Sequence, residues 1–97
     1  VENMSCMFFR AYDFNQPISR WDTSNVENMN GMFSYARDFD QNISSWDTSK
    51  VTDMIGMFWN ATSFNQPIGS WDTSNVKNMY GMFDKCVFPE EYKPEFN

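Results

Sequence analysis

In Val26-Glu27-Asn28-Met29-Asn30-Gly31-Met32-Phe33-Ser34-Tyr35-Ala36-Arg37-Asp38-Phe39 the apolar side chains fall at 26, 29, 32, 33, 36 and 39. At about 100° per residue they cover an arc of roughly 140°, the stripe of a core-facing helix. The spacing predicts a short helix near residues 25–36. Ser24 stands where it can cap that helix, with Glu27 at the capping-box distance, and Asp22 lies at its favourable dipole end. Gly31 lies inside it at a cost of about 0.5–1 kcal/mol relative to alanine, which close contact between neighbouring units would explain. Beyond it, Phe39-Asp40-Gln41-Asn42-Ile43-Ser44 alternates, and period two predicts a short strand. With Phe, Gln and Ile pointing inward, Gln16, Gln41 and Gln66 form a buried column bonded from unit to unit, and Pro17 and Pro67 keep the strand pairing brief.

Reading outward, the same stretch recurs every 25 residues. Val1, Val26, Val51 and Val76 align, as do Met4, Met29, Met54 and Met79, and Met7, Met32, Met57 and Met82. Residues 1–25 and 26–50 agree at 16 of 25 positions, and 26–50 and 51–75 at 14, which no chance resemblance produces. A partial copy, 76–88, leads into a tail, 89–97, that reads as a cap with Phe88 and Tyr92 as its covers. A unit this short cannot bury an apolar face alone, so the expected fold is an α/β, leucine-rich-repeat-like solenoid of nearly four coils, each a short helix plus a short strand.

Composition narrows the function. The 97 residues suffice for one domain. A formal charge of −6 argues against nucleic acid and against an anionic membrane surface, and no apolar run approaches a membrane span. The absence of histidine removes the commonest general base and metal ligand, and the titratable residues recur as columns instead of converging as acid, base and nucleophile. Neither a cofactor nor a metal is expected. Cys6 and Cys86 lie three coil steps apart, too far for a disulfide, and Cys86, in the place of Ala11, Ala36 and Ala61, should be buried and inert.

The units Phe14-Asn15-Gln16-Pro17-Ile18-Ser19, Trp21-Asp22-Thr23-Ser24-Asn25-Val26 and Asn28-Met29-Asn30-Gly31-Met32-Phe33 resemble the BspA-like leucine-rich-repeat surface proteins over residues 1–88. The resemblance implies a non-enzymatic module for protein interaction or adhesion, at the cell surface or secreted, with a protein or cell-surface partner. It supplies no catalytic residues.

The residues expected to meet the partner are Asn15, Asp40, Asn42 and Asn65 on the outward strand positions, whose types vary between copies, with the Trp21, Trp46 and Trp71 column nearby. Packing is the competing reading of those tryptophans. A turn bond within each coil competes with calcium binding as the reading of Asp22, Asp47 and Asp72, and local capping explains Thr23, Thr48 and Thr73. Carbohydrate or calcium-dependent binding is one alternative function, and structural assembly through coil ends is another. The chain starts in mid-repeat at Val1, without a polar cap, so its first coil should expose an apolar edge. Further repeats before it, or self-association, would cover that edge.

Overall fold

A helix would return each amide to the carbonyl four residues back, but here the amides point to the next copy. Met29, Gly31, Phe33 and Tyr35 donate to the carbonyls of Asp53, Ile55, Met57 and Trp59, at 2.8–2.9 Å. The same set runs from Met4, Cys6, Phe8 and Arg10 to residues 28–34, and from Met54, Gly56, Phe58 and Asn60 to residues 78–84. The computed structural model describes residues 1–96, and their only helical element is the 3-10 turn Glu90–Tyr92.

Backbone sign explains why the expected helix does not form. Cys6, Gly31, Gly56 and Gly81 have φ of 57–66°, and Arg10, Tyr35, Asn60 and Lys85 have φ of 57–62°. One left-handed residue in every four breaks a right-handed helix. In its place stand tandem four-residue turns: Met32 donates to Met29 at 3.2 Å and Ala36 to Phe33 at 3.0 Å, each turn with its third residue at positive φ, as a type II turn requires. Tandem turns put residues i, i+3, i+4 and i+7 on one side, the pattern a helix shares. Gly31 is therefore a turn residue. Ser24 caps no helix either: its N–H and Oγ both donate to Asp22 Oδ1, at 3.0 and 2.6 Å.

The expected strand is absent as well. The β pairing is confined to isolated parallel bridges, Asn3 to Asn28, Asn28 to Asp53 and Asp53 to Asn78, and none involves residues 39–44. There, side chains replace the ladder. Asn15 Oδ1 accepts from the Asp40 N–H at 2.9 Å, and Asp40 Oδ1 from the Asn65 N–H at 3.0 Å. The glutamines bond between copies but are not buried: Gln41 Nε2 donates to Asn15 Oδ1 and Gln66 Nε2 to Asp40 Oδ1, with Gln16 exposed. A helix-and-strand solenoid of leucine-rich-repeat type is thus not what this chain builds. It forms a body of 29 × 27 × 20 Å in which each copy is a layer of turns, with no sheet among the described residues.

The interior is a double file of rings. Phe8, Phe33, Phe58 and Phe83 stack at 5.5–5.7 Å between centroids, and Phe14, Phe39, Phe64 and Phe88 at 5.4–5.8 Å. Within a layer the two files touch, as Phe33 does Phe39 at 4.1 Å. Met29, Met32, Met54 and Met57 fill the space beside them and are wholly buried, whereas Met7 and Met79, in the outer layers, are 44% and 45% exposed.

The tail completes the fourth layer. Tyr92 accepts from the Ile68 N–H at 3.0 Å, and Glu95 accepts from the Thr73 hydroxyl just as Asp72 accepts from Thr48. Phe88 is buried and meets Tyr92 edge-on at 6.1 Å. Asn97, the last residue of the expected cap, lies outside the described residues.

Candidate functional site

The residues expected to meet a partner divide into two groups. Trp46 and Trp71 belong to the core: each is 4% exposed, with its indole Nε1–H donating at 3.0 Å to the carbonyl of Ile18 or Ile43 in the layer before. A buried indole needs such an acceptor, and finding one fixes the ring inward. These two offer no platform. Trp21, in the first layer, remains 39% exposed. Asn15 and Asp40 tie layers together as described above, and Asn42 Oδ1 accepts from the Ser44 N–H at 2.9 Å and Oγ at 2.7 Å. Asn65 is exposed, and its side chain makes no hydrogen bond among the described residues.

The aspartate column is likewise occupied within each layer. Asp22, Asp47 and Asp72 each accept from the serine two residues on, through its hydroxyl first and its N–H second, and both bonds hold the carboxyl below its ordinary value. Among the described residues no cluster of three metal-ligating side chains occurs. Because folding lowers these values, their contribution to stability is present above about pH 4 and is lost as the pH falls through the lowered folded values. Thermal melts from pH 6 to pH 2.5 should therefore show a falling Tm, and the Asp47→Asn variant should fall less steeply. A variant with the wild-type slope would remove Asp47 as a cause.

Cys86, opposite the Ala61 carbonyl at 3.1 Å, is half-buried, and burial pushes its thiol up to about 11. Cys6 is exposed, and neither forms a disulfide.

A different face carries side chains that the layers do not consume. On the outside of the tandem turns, successive copies place Ser5, Asn30, Ile55 and Tyr80; then Phe9, Ser34, Trp59 and Asp84; then Arg10, Tyr35, Asn60 and Lys85, all exposed or half-buried except the buried Ser34. Nothing repeats there, although the inward neighbours at 4, 7, 8 and 11 recur in every full copy. The turn glycines open a groove of about 270 Å3 on this face, floored by Gly31 and Gly56 and walled by Phe9, Tyr35 and Trp59. Phe9 and Tyr35 meet edge-on at 6.1 Å, and the Arg10 guanidinium lies 5.2 and 5.3 Å from their ring centres, an arrangement that orients all three. Variation between copies, the signal used for the strand positions, is stronger here, and at about 100° per residue these positions fall outside the apolar arc, so the sequence held a signal that could have found them.

The chain is similar to neither a curated protein nor a solved structure. The model of one family covers nearly all of it, matching residues 1–93. On that match, the chain belongs to the family described as Mycoplasma protein of unknown function, DUF285.

Proposed function

We propose that this chain is a non-enzymatic protein-interaction module of an exposed surface, and that the outer face of its tandem turns is what meets the partner. One observation carries the reading: aromatic, aliphatic and charged residues replace one another at positions 5, 9 and 10 of each copy, on a frame whose inward residues at 4, 7, 8 and 11 are the same in every full copy. A constant scaffold with a varied, partly apolar rim is what partner recognition by repeated units requires. Tyr, Trp and Arg, the residue types that anchor interfaces, are gathered at one groove. The likeness to BspA-like surface proteins supports the same class of function and the same location.

The test compares wild-type protein, a Phe9→Ala/Trp59→Ala double variant and a Lys77→Ala control for capture of proteins from cell-surface extracts, each bound protein then being purified and titrated. A partner binding the wild type and the control alike, and the double variant at least about tenfold more weakly, supports the reading. Equal affinity for all three removes the turn face, and no saturable partner removes the interaction reading.

A further inference from the structure

The groove between Phe9, Tyr35 and Trp59 crosses consecutive layers on the flank of the stack, and its floor has no main chain to offer. Gly31 donates to the Ile55 carbonyl at 2.8 Å and accepts from the Ser34 N–H at 3.1 Å, while Gly56 donates to the Tyr80 carbonyl at 2.9 Å and accepts from the Trp59 N–H at 3.1 Å. With both glycines bonded inside the molecule, a peptide laid along the groove gains no strand-like ladder from them, so what enters is a side chain. The volume of about 270 Å3 falls below that of a drug-sized pocket and suits one large apolar group.

The rim adds a charge. Arg10 is exposed, its guanidinium lies over both the Phe9 and Tyr35 rings, and it forms no ion pair among the described residues. Aromatic faces hold the flat of a guanidinium and leave its N–H edge for a planar anion. No acidic side chain is among the described residues that line the groove. At positions 5, 9 and 10 of the four copies the charged residues are Arg10, Asp84 and Lys85, a net +1 on a chain of net −6, and the last two sit side by side in the fourth copy. The groove is thus a cationic spot on an acidic body.

We infer, on the reading of the turn face as the contact surface, that the occupant is a protein segment in which a large apolar side chain stands one or two residues from an aspartate or glutamate. The apolar group enters over Gly31 and Gly56, and the carboxylate meets Arg10. Reach sets the spacing: the guanidinium carbon is 5.2 and 5.3 Å from the centres of two walls of the groove, and consecutive Cα atoms are about 3.8 Å apart. Because Phe9 and Tyr35 orient Arg10 beforehand, it loses little freedom on binding. A lysine or arginine in the acid's place is repelled, which gives the groove a means of rejection as well as of attraction.

A phage-displayed library of random dodecapeptides, passed over wild type, Arg10→Glu and Phe9→Ala/Trp59→Ala, tests both parts. Wild type should enrich aromatic or large aliphatic residues with Asp or Glu one or two places away, and Arg10→Glu the same anchors beside Lys or Arg. In titrations of single peptides with wild type, changing the acid to its amide should weaken binding about two- to fivefold, and changing the anchor to alanine at least about tenfold. Bound peptide should also slow the reaction of Cys6, an exposed thiol lining the groove, with an aromatic disulfide. Arg10→Gln, under the same backbone demand at φ of 61°, should keep the anchor and lose the acid preference, and it replaces Arg10→Glu if that variant loses the wild-type near-UV circular dichroism. Peptides that need Phe9 and Trp59 but show no acid, or show the same acid over the Arg10 variants, overturn this inference and leave the turn face standing. Peptides that bind the double variant as well as wild type, or leave Cys6 equally reactive, remove the turn face and the inference with it. An empty selection also overturns the inference, whether acidic glycans on an array or a second copy of the chain prove to fill the groove instead.

Discussion

Phe58→Ala is expected to cost about 3–5 kcal/mol, the range for removing a buried ring, and so to take away a large share of the chain's stability in water. The total stability of a 97-residue domain is only about 5–15 kcal/mol. The ring is wholly buried, with Phe33 and Phe83 5.5 and 5.7 Å away along the file, Phe64 at 4.2 Å and Trp71 at 6.3 Å. Layers above and below both hold it, so the void cannot collapse without parting them. Phe8, at the end of the same file, is partly exposed and has a ring neighbour along it on one side only. Phe8→Ala should cost about half as much or less. Urea denaturation followed by circular dichroism measures both. Equal losses would mean that the rings do not form one continuous core.

Gly81→Ala should destabilise more than Gly56→Ala, although both positions demand the same backbone. At φ of 58° and 66°, any side chain costs about 1–2 kcal/mol. A methyl on Gly56 meets nothing nearer than 3.9 Å, whereas one on Gly81 meets Trp59 ring carbons at 2.6 and 2.8 Å. Displacing that indole adds about 1–3 kcal/mol. Placing Gly81→Ala in a Trp59→Ala background should recover most of the difference, leaving only the backbone cost. Additive losses in the double variant would show that the indole is not what resists. The same column offers a gain: Cys6 sits at φ of 57° where later copies have glycine, so Cys6→Gly should raise stability by up to about 1 kcal/mol.

These glycines also mark where sequence reasoning stopped. The repeat, its register, and the inward positions of Met29, Met32, Phe33 and Ala36 were all legible, because burial repeats with the unit and apolar residues report burial. The backbone path was not. Spacing of i, i+3, i+4 and i+7 reports which residues share a side, and tandem type II turns satisfy it as well as a helix does. Gly31, Gly56 and Gly81, read as a cost inside a helix, were the evidence for the other solution, but Arg10, Tyr35 and Asn60 hid its second left-handed position. Likewise the alternation over 39–44 reflected which side chains face in, while Asp40 and Asn15 made the links a strand would have made through its backbone. Of the expected contact residues, Trp46 and Trp71 follow the packing reading, because an indole one layer on finds a carbonyl to bond, a partner that composition does not reveal, while Trp21 stays 39% exposed.

The constant offset between bonded residues has a consequence for length. The amides of Met4, Met29 and Met54, and of alternate residues after them through Arg10, Tyr35 and Asn60, each reach a carbonyl 24 residues ahead, and the Asn15 and Asp40 Oδ1 atoms each accept from a main-chain amide 25 ahead. Excising residues 26–50 whole would bring residue 51 into the place of residue 26, and each severed bond would be remade with an equivalent atom. Removing a single residue from that segment would shift everything beyond it by one place, turning ring positions toward water and left-handed positions onto residues that resist them. Such a gene tolerates gain or loss of coding sequence in steps of 25 codons and little between, so its size is quantised by the same geometry that holds the protein together.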